Sequence, residues 1–151
     1  MLKKLVRDAW KILPAGVRLK IVRISQTKFT VSAAAVIVNP RNEVLLLNHV
    51  LRPFSGWGLP GGFVNSSEHP EDAVRREISE ETGLELSDVR LIRIRTVRQH
   101  IEILFQATTD SEPGTLSREI FDWGWFVLED LPKEMGKSQT SVIRKVLESE
   151  V

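Results

Sequence analysis

The chain has 151 residues, 27% of them charged and 42% hydrophobic, with a net charge of +1, a length that suits one domain with a core of its own. It has no cysteine, which excludes disulfides, thiolate catalysis and cysteine-ligated metals. No apolar run approaches the roughly 20 residues that a membrane span requires.

The charge is uneven. Residues 1–30 hold eight Lys/Arg and one acid, Asp8, so this stretch carries +7 and the remainder −6. Within it, Leu2, Leu5, Val6, Ala9, Trp10 and Leu13 recur at i, i+3, i+4, i+7, i+8 and i+11. That spacing predicts an amphipathic helix, the core of a basic segment over residues 1–16 that Pro14 and Gly16 close. Such a helix can pack on the domain or on the second subunit of a homodimer, lie on a membrane surface, or serve as an organelle transit peptide. Asp8 and Lys11 interrupt the apolar stretch, which argues against a secretory signal; a cytoplasmic location is expected. The basic arm can steer a polyanion such as a nucleic acid, although a solvated surface is the blander reading.

Residues 17–26 alternate Val17, Leu19 and Ile21 with basic residues before the pattern shifts at Val22 and Ile24; an edge strand is predicted. Residues 29–38 read as a buried strand. In it the run Ala33-Ala34-Ala35 either leaves space for a ligand or permits tight backbone packing. Asn39-Pro40-Arg41-Asn42 is a turn, and residues 43–49 form the partner strand of a hairpin. A loop over residues 50–58 leads into Leu59-Pro60-Gly61-Gly62, a glycine turn that allows close backbone approach.

Residues 70–82 are predicted to be a helix. Pro70 suits its first turn, Glu71 and Asp72 lie at the positive end of the macrodipole, and Gly83 suits a left-handed C-terminal cap. Glu77, Glu80 and Glu81, at i, i+3 and i+4, share one face. Like charges at this spacing destabilise a helix by roughly 0.2–0.5 kcal/mol per pair, so the cluster calls for a cation. Oxygen-only ligands favour magnesium or manganese over zinc. The alternative is a solvated acidic face partnered by Arg75 and Arg76. Beyond the helix, residues 89–97 and 100–108 read as paired strands, 109–122 as a loop and 123–128 as a last strand. Residues 138–148 form a closing helix with Val142, Ile143, Val146 and Leu147 on its apolar face. This order suits an α/β (α+β) fold with helices on both sides of a mixed sheet.

Gly62, Glu68, Arg76, Glu77, Ile78, Glu80, Glu81, Gly83 and Leu84 resemble the Nudix box, G-x5-E-x7-R-E-U-x-E-E-x-G-U with U apolar, at every specified position. The box spans 23 of the 151 residues, and the flanking pattern fits the same MutT-like family over most of the chain. The resemblance implies a single Nudix domain over residues 1–151, an α/β/α sandwich with a mixed β-sheet. It also implies divalent-metal-dependent hydrolysis of the pyrophosphate linkage in a nucleoside diphosphate joined to another moiety, a small-molecule substrate. By resemblance Glu77, Glu80 and Glu81 hold Mg2+ or Mn2+, with the carbonyl of Gly61 completing the set. Arg76 fixes a box carboxylate, and Gly62 and Glu68 support the site.

The catalytic base is either a box glutamate or an acid on a later loop. Glu119 is the leading outside candidate, with Glu112, Asp122 and Glu102 as rivals; each alone also reads as a surface acid. For substrate contacts, Arg52, Arg93, Arg95 and Arg98 can grip phosphates, and Trp57, Phe54, Phe63 and Trp123 can stack on a base, or serve simply as surface and core. A nucleotide sugar such as ADP-ribose is the favoured substrate. The alternatives are a (d)NTP-sanitising enzyme, an RNA 5′-pyrophosphohydrolase and a non-catalytic nucleotide-binding regulator. A regulator of that kind usually loses box carboxylates, and all are present here.

Overall fold

In a computed structural model, residues 1–51 and 55–149 are described. Arg52 and Phe54, expected at the substrate, fall outside the described residues. In chain order the elements are α1 (Leu2–Ile12), α2 (Ala15–Ser25), β1 (Thr30–Val38), β2 (Val44–His49), β3 (Trp57–Gly58), β4 (Gly61–Phe63), α3 (Pro70–Thr82), β5 (Ser87–Val97), β6 (His100–Thr108), β7 (Ile120–Phe126), a 3-10 turn (Leu128–Asp130) and α4 (Lys137–Ser149).

The strands form one mixed sheet in the order β3-β2-β1-β6-β5; β4 adds to β1, and β7 to β2. Only the β1–β6 pairing is parallel among the described residues. The apolar run of β1 is buried on both faces, and its alternation sends successive side chains to opposite layers. Ala33, Ala35 and Ile37 pack with Leu45 and Leu47 beneath Ala73, Val74 and Ile78 of α3. Val36 and Val38 pack with Val44 and Leu46 against Val142, Ile143, Val146 and Leu147 of α4. Each fully buried aliphatic side chain contributes roughly 1.5–3 kcal/mol, so the two layers hold α3 and α4 on opposite faces of the sheet. This is the α/β sandwich that the residue pattern implies.

The predicted and observed elements differ in places. The loop over residues 50–58 ends in β3, and the glycine turn over residues 59–62 runs into β4. Residues 17–26 are not an edge strand: Ala15–Ser25 is helical and has no buried residue. The period-two alternation breaks at Val22, and no strand lies beside this segment among the described residues. Its N–H and C=O groups are therefore satisfied within a helix. The basic N-terminal region is thus two helices, not one ending at residue 16. The last strand runs over Ile120–Phe126, three residues earlier than predicted at its start. Its extent follows β2, with pairs from Val44↔Phe126 to His49↔Ile120.

Candidate active site

Strand β4 joins the sheet where two glycines are required. Gly61 has φ 140°, and a Cβ there would lie 2.3 Å from the Ala33 carbonyl oxygen and 2.5 Å from Ala34 Cα. The alanine run of β1 therefore serves close backbone packing, with Gly61 opposite Ala34 and Gly62 opposite Ala33. A Cβ on Gly62 would fall 2.3 Å from the Glu77 carboxylate, so its absence makes room for that group. Helix α3 then presents its carboxylates to the strand. Its C-terminus is fixed by Gly83 in the left-handed conformation, whose N–H donates to Ser79 O at 2.8 Å.

Arg76 is the hub. Its Nε and Nη2 donate to the two Glu68 oxygens at 2.7 and 3.0 Å. Nη1 reaches Glu77 Oε1 at 2.8 Å and Glu80 Oε2 at 3.5 Å, and Nη2 reaches the Phe63 carbonyl at 3.2 Å. The planar fork thus ties helix, loop and strand together with charge-assisted bonds. These bonds, with one from the Asn65 N–H, pull the Glu68 carboxyl down to about 2, while Glu68 and then Glu77 raise Arg76 further above its ordinary range. Arg75, by contrast, turns away to Glu71 and the Leu86 carbonyl.

Glu81 is buried at the floor of the site. Its Oε2 accepts from the Gly61 N–H at 3.2 Å, and its Oε1 lies 3.7 Å from His49 Nδ1 at the end of β2. The loop after β6 is pinned to the same helix end. Gly114 N–H donates to Thr82 O at 2.8 Å, and Ser117 N–H donates to Glu81 O at 3.1 Å. The Val50 N–H in turn donates to Glu119 O at 2.9 Å. These bonds bring Ser117, Arg118 and Glu119 to one wall of a cleft of about 700 Å³ whose other wall carries Gly61, Gly62, Arg76, Glu77, Glu80 and Glu81.

Residues 28–146 match the NUDIX domain family. The chain belongs to that family. Its fold superimposes on the crystal structure of the MutT NUDIX hydrolase from Burkholderia pseudomallei with a TM-score of 0.69 and 30% identity, covering 79% of this chain and 98% of the other. A Methanocaldococcus jannaschii protein named ADP-ribose pyrophosphatase is 51% identical over 49 residues, 32% of this chain and 29% of that protein. A Pseudomonas aeruginosa RNA pyrophosphohydrolase is 33% identical over 69 residues, 46% of this chain and 42% of that protein. The aligned stretches thus span less than half the length of these two curated relatives.

The NUDIX cleft gathers Gly61, Gly62, Arg76, Glu77, Glu80, Glu81 and Glu119, with Glu68 joined through Arg76. The other acids lie elsewhere. Glu112 accepts from Trp125 Nε1 at 2.6 Å, Asp122 accepts from the Trp123 N–H at 2.8 Å, and Glu102 pairs with Arg95 at 2.6 Å. Of the expected substrate contacts, Arg93 and Arg95 both bond Ser138 at the start of α4, on the sheet face opposite α3. Trp57 packs edge-on against Phe126 at 5.2 Å in the α4-side core. None of these three lines the cleft, whereas Phe63 does. His49, Asn65, Ser117 and Arg118 also line it, and no sequence motif marks them; chain reversal and the loop's bonds to α3 bring them in.

NUDIX hydrolases generally need a divalent metal ion. Among the described residues no three His, Asp or Glu side chains converge on a ready metal nest; Arg76 compensates Glu77 and Glu80 instead. The donor set still fits a hard cation, because Glu77, Glu80 and Glu81 offer only oxygens on one wall of the cleft and Glu80 is largely exposed to it.

Proposed function

We propose that the chain is a divalent-metal-dependent pyrophosphohydrolase acting on a nucleoside diphosphate linked to another group, with a nucleotide sugar such as ADP-ribose as substrate. The observation that carries the reading is the carboxylate face of α3, held by Arg76 and opened onto a cleft by two glycines. The cleft volume suits a ligand of nucleotide size. The nucleotide-sugar choice is supported by the relative named ADP-ribose pyrophosphatase, identical at half of the 49 aligned positions.

Glu77, Glu80 and Glu81, with the Gly61 carbonyl, would hold Mg2+ or Mn2+. An ion bound there would supply charge to neutralise the diphosphate and would acidify a water molecule. Arg76 keeps Glu77 and Glu80 on one wall and returns Glu68 as its own counter-ion. Glu81 is oriented by the Gly61 N–H through Oε2, with Oε1 on the side of His49. Glu119, which lines the same cleft, would take the proton as the water oxygen bonds to phosphorus and the bridging P–O bond breaks. Arg118 beside it supplies positive charge for the phosphates.

The test is a product assay with Mg2+ on ADP-ribose, other nucleotide sugars, nucleoside triphosphates and 5′-triphosphorylated RNA. AMP plus ribose phosphate supports the proposed substrate. Pyrophosphate with a nucleoside monophosphate assigns triphosphates instead, and release of phosphates from RNA assigns the activity named in the Pseudomonas relative. No turnover of any substrate rejects the hydrolase reading.

A further inference from the structure

Helix α1 is the most sharply divided element of the chain. Placed at 100° per residue, Leu2, Leu5, Val6, Ala9, Trp10 and Ile12 fall within an arc of roughly 160°, and Lys3, Lys4, Arg7, Asp8 and Lys11 within the rest. The helix has no buried residue. Leu2, Leu5 and Ile12 are 74%, 70% and 83% exposed, so the apolar stripe is not covered by the domain. A stripe this apolar along a whole helix requires a partner.

We propose that α1 docks the protein on an anionic lipid bilayer surface, lying in the plane of the interface with its apolar stripe in the acyl boundary. Charge complementarity selects this occupant. The polar face carries four cations, and its single acid, Asp8, is already paired with Arg7 at 3.2 Å. Helix α2 adds Arg18, Lys20 and Arg23 and has no acid. Lysine is depleted at protein–protein interfaces, whereas lysines flanking an apolar stripe are what an interfacial helix uses on acidic headgroups. Trp10 stands at the edge of the stripe, where an indole prefers the headgroup level. Among the described residues, none of α1 or α2 lines the active-site cleft. The remainder of the chain, at −6, is repelled by the same surface, which confines contact to the basic helices.

The experiment is co-sedimentation of the 151-residue chain with phosphatidylcholine vesicles, with and without phosphatidylserine, at low and high salt. Two variants accompany it: Leu5→Asn in the stripe and Lys3→Gln/Lys4→Gln/Arg7→Gln on the polar face. Thermal melts of both variants confirm that they fold. Binding is expected to the serine-containing vesicles alone and to weaken with salt. The charge variant should lose about fivefold per cation, on the order of a hundredfold in all, and Leu5→Asn at least about tenfold. No binding to the anionic vesicles overturns the proposal. So does binding that Leu5→Asn retains in full. Capture of single-stranded RNA that needs the cations but not Leu5 reassigns the face to nucleic acid. A dimer in sedimentation velocity that Leu5→Asn dissociates, without vesicle binding, reassigns it to a second copy.

Discussion

At the scale of single residues, the carboxylates of α3 and of the loop before it are kept apart by what each one touches. Glu68 takes both arms of the Arg76 fork, Glu77 and Glu80 share its remaining nitrogen, and Glu81 is turned to a backbone N–H. Glu81→Gln retains an oxygen for the Gly61 N–H and keeps the volume, so the fold should persist while the charge is lost. A fall in kcat of about a hundredfold or more is expected, with a thermal midpoint within a few degrees of the parent; unchanged turnover would remove Glu81 from the site. Glu68 supplies a pH dependence. Its folded value, about 2, lies below its ordinary 4.5. The contribution of the Glu68–Arg76 pair is therefore complete above pH 4.5 and is lost as pH falls through 2. The stability difference between the parent and Glu68→Gln, from denaturant midpoints, should be constant from neutral pH down to about 5 and shrink toward zero below it. A difference that does not vary with pH would mean that Glu68 acts by packing and not by charge.

At the scale of elements, adjacent glycines of β4 separate stability from activity. A methyl at Gly61 meets the backbone of β1 and sits at φ 140°, where neither partner can yield. Gly61→Ala should destabilise the domain by about 2 kcal/mol or more. At Gly62 the obstacle is the end of the flexible Glu77 side chain. Gly62→Ala should therefore leave the melting temperature nearly unchanged and lower activity by displacing Glu77; equal loss of stability in both variants would refute this division. The same element shows what the sequence can and cannot express. Helix α3 is legible to the residue, because Pro70, the acidic first turn and Gly83 are local signals that burial of Val74 and Ile78 reinforces. The close backbone approach of the two glycines is legible too, since only glycine tolerates it, although Gly61 and Gly62 lie in strand β4 and not in a turn. The position of β7 is not, because β2 sets its register through pairing across more than seventy residues of chain. Nor is the cleft's far wall. Arg118 and Glu119 reach it through backbone bonds that any side chain would permit, so Glu119 could be picked out only as one of several loop acids. Arg93 and Arg95 share a strand face as the alternation predicts, yet which face of the sheet they occupy depends on where α4 packs.

At the scale of the whole molecule, the chain divides into a packed NUDIX domain and a basic helical pair that shares none of its core. The family match begins at residue 28, β1 begins at Thr30, and neither α1 nor α2 has a buried residue. The only acid in the first 30 residues is Asp8, so the pair is strongly net positive, and it contributes none of the residues that line the cleft. Removing residues 1–26 should therefore leave the domain folded. Its melting midpoint should stay within about 2 °C of the full chain, since a shift of about 2–4 °C accompanies each kcal/mol in a domain of this size. Turnover of a small nucleotide substrate should be retained, because the cleft is closed by β4, α3 and the loop after β6. Had Leu5, Trp10 and Leu19 been core residues, their loss would cost several kcal/mol and lower the midpoint by roughly ten degrees or more. Differential scanning calorimetry of the two forms decides between these outcomes. A large drop would show that the helices stabilise the domain by packing on it, and an unchanged midpoint with full turnover would assign them to contacts beyond the chain.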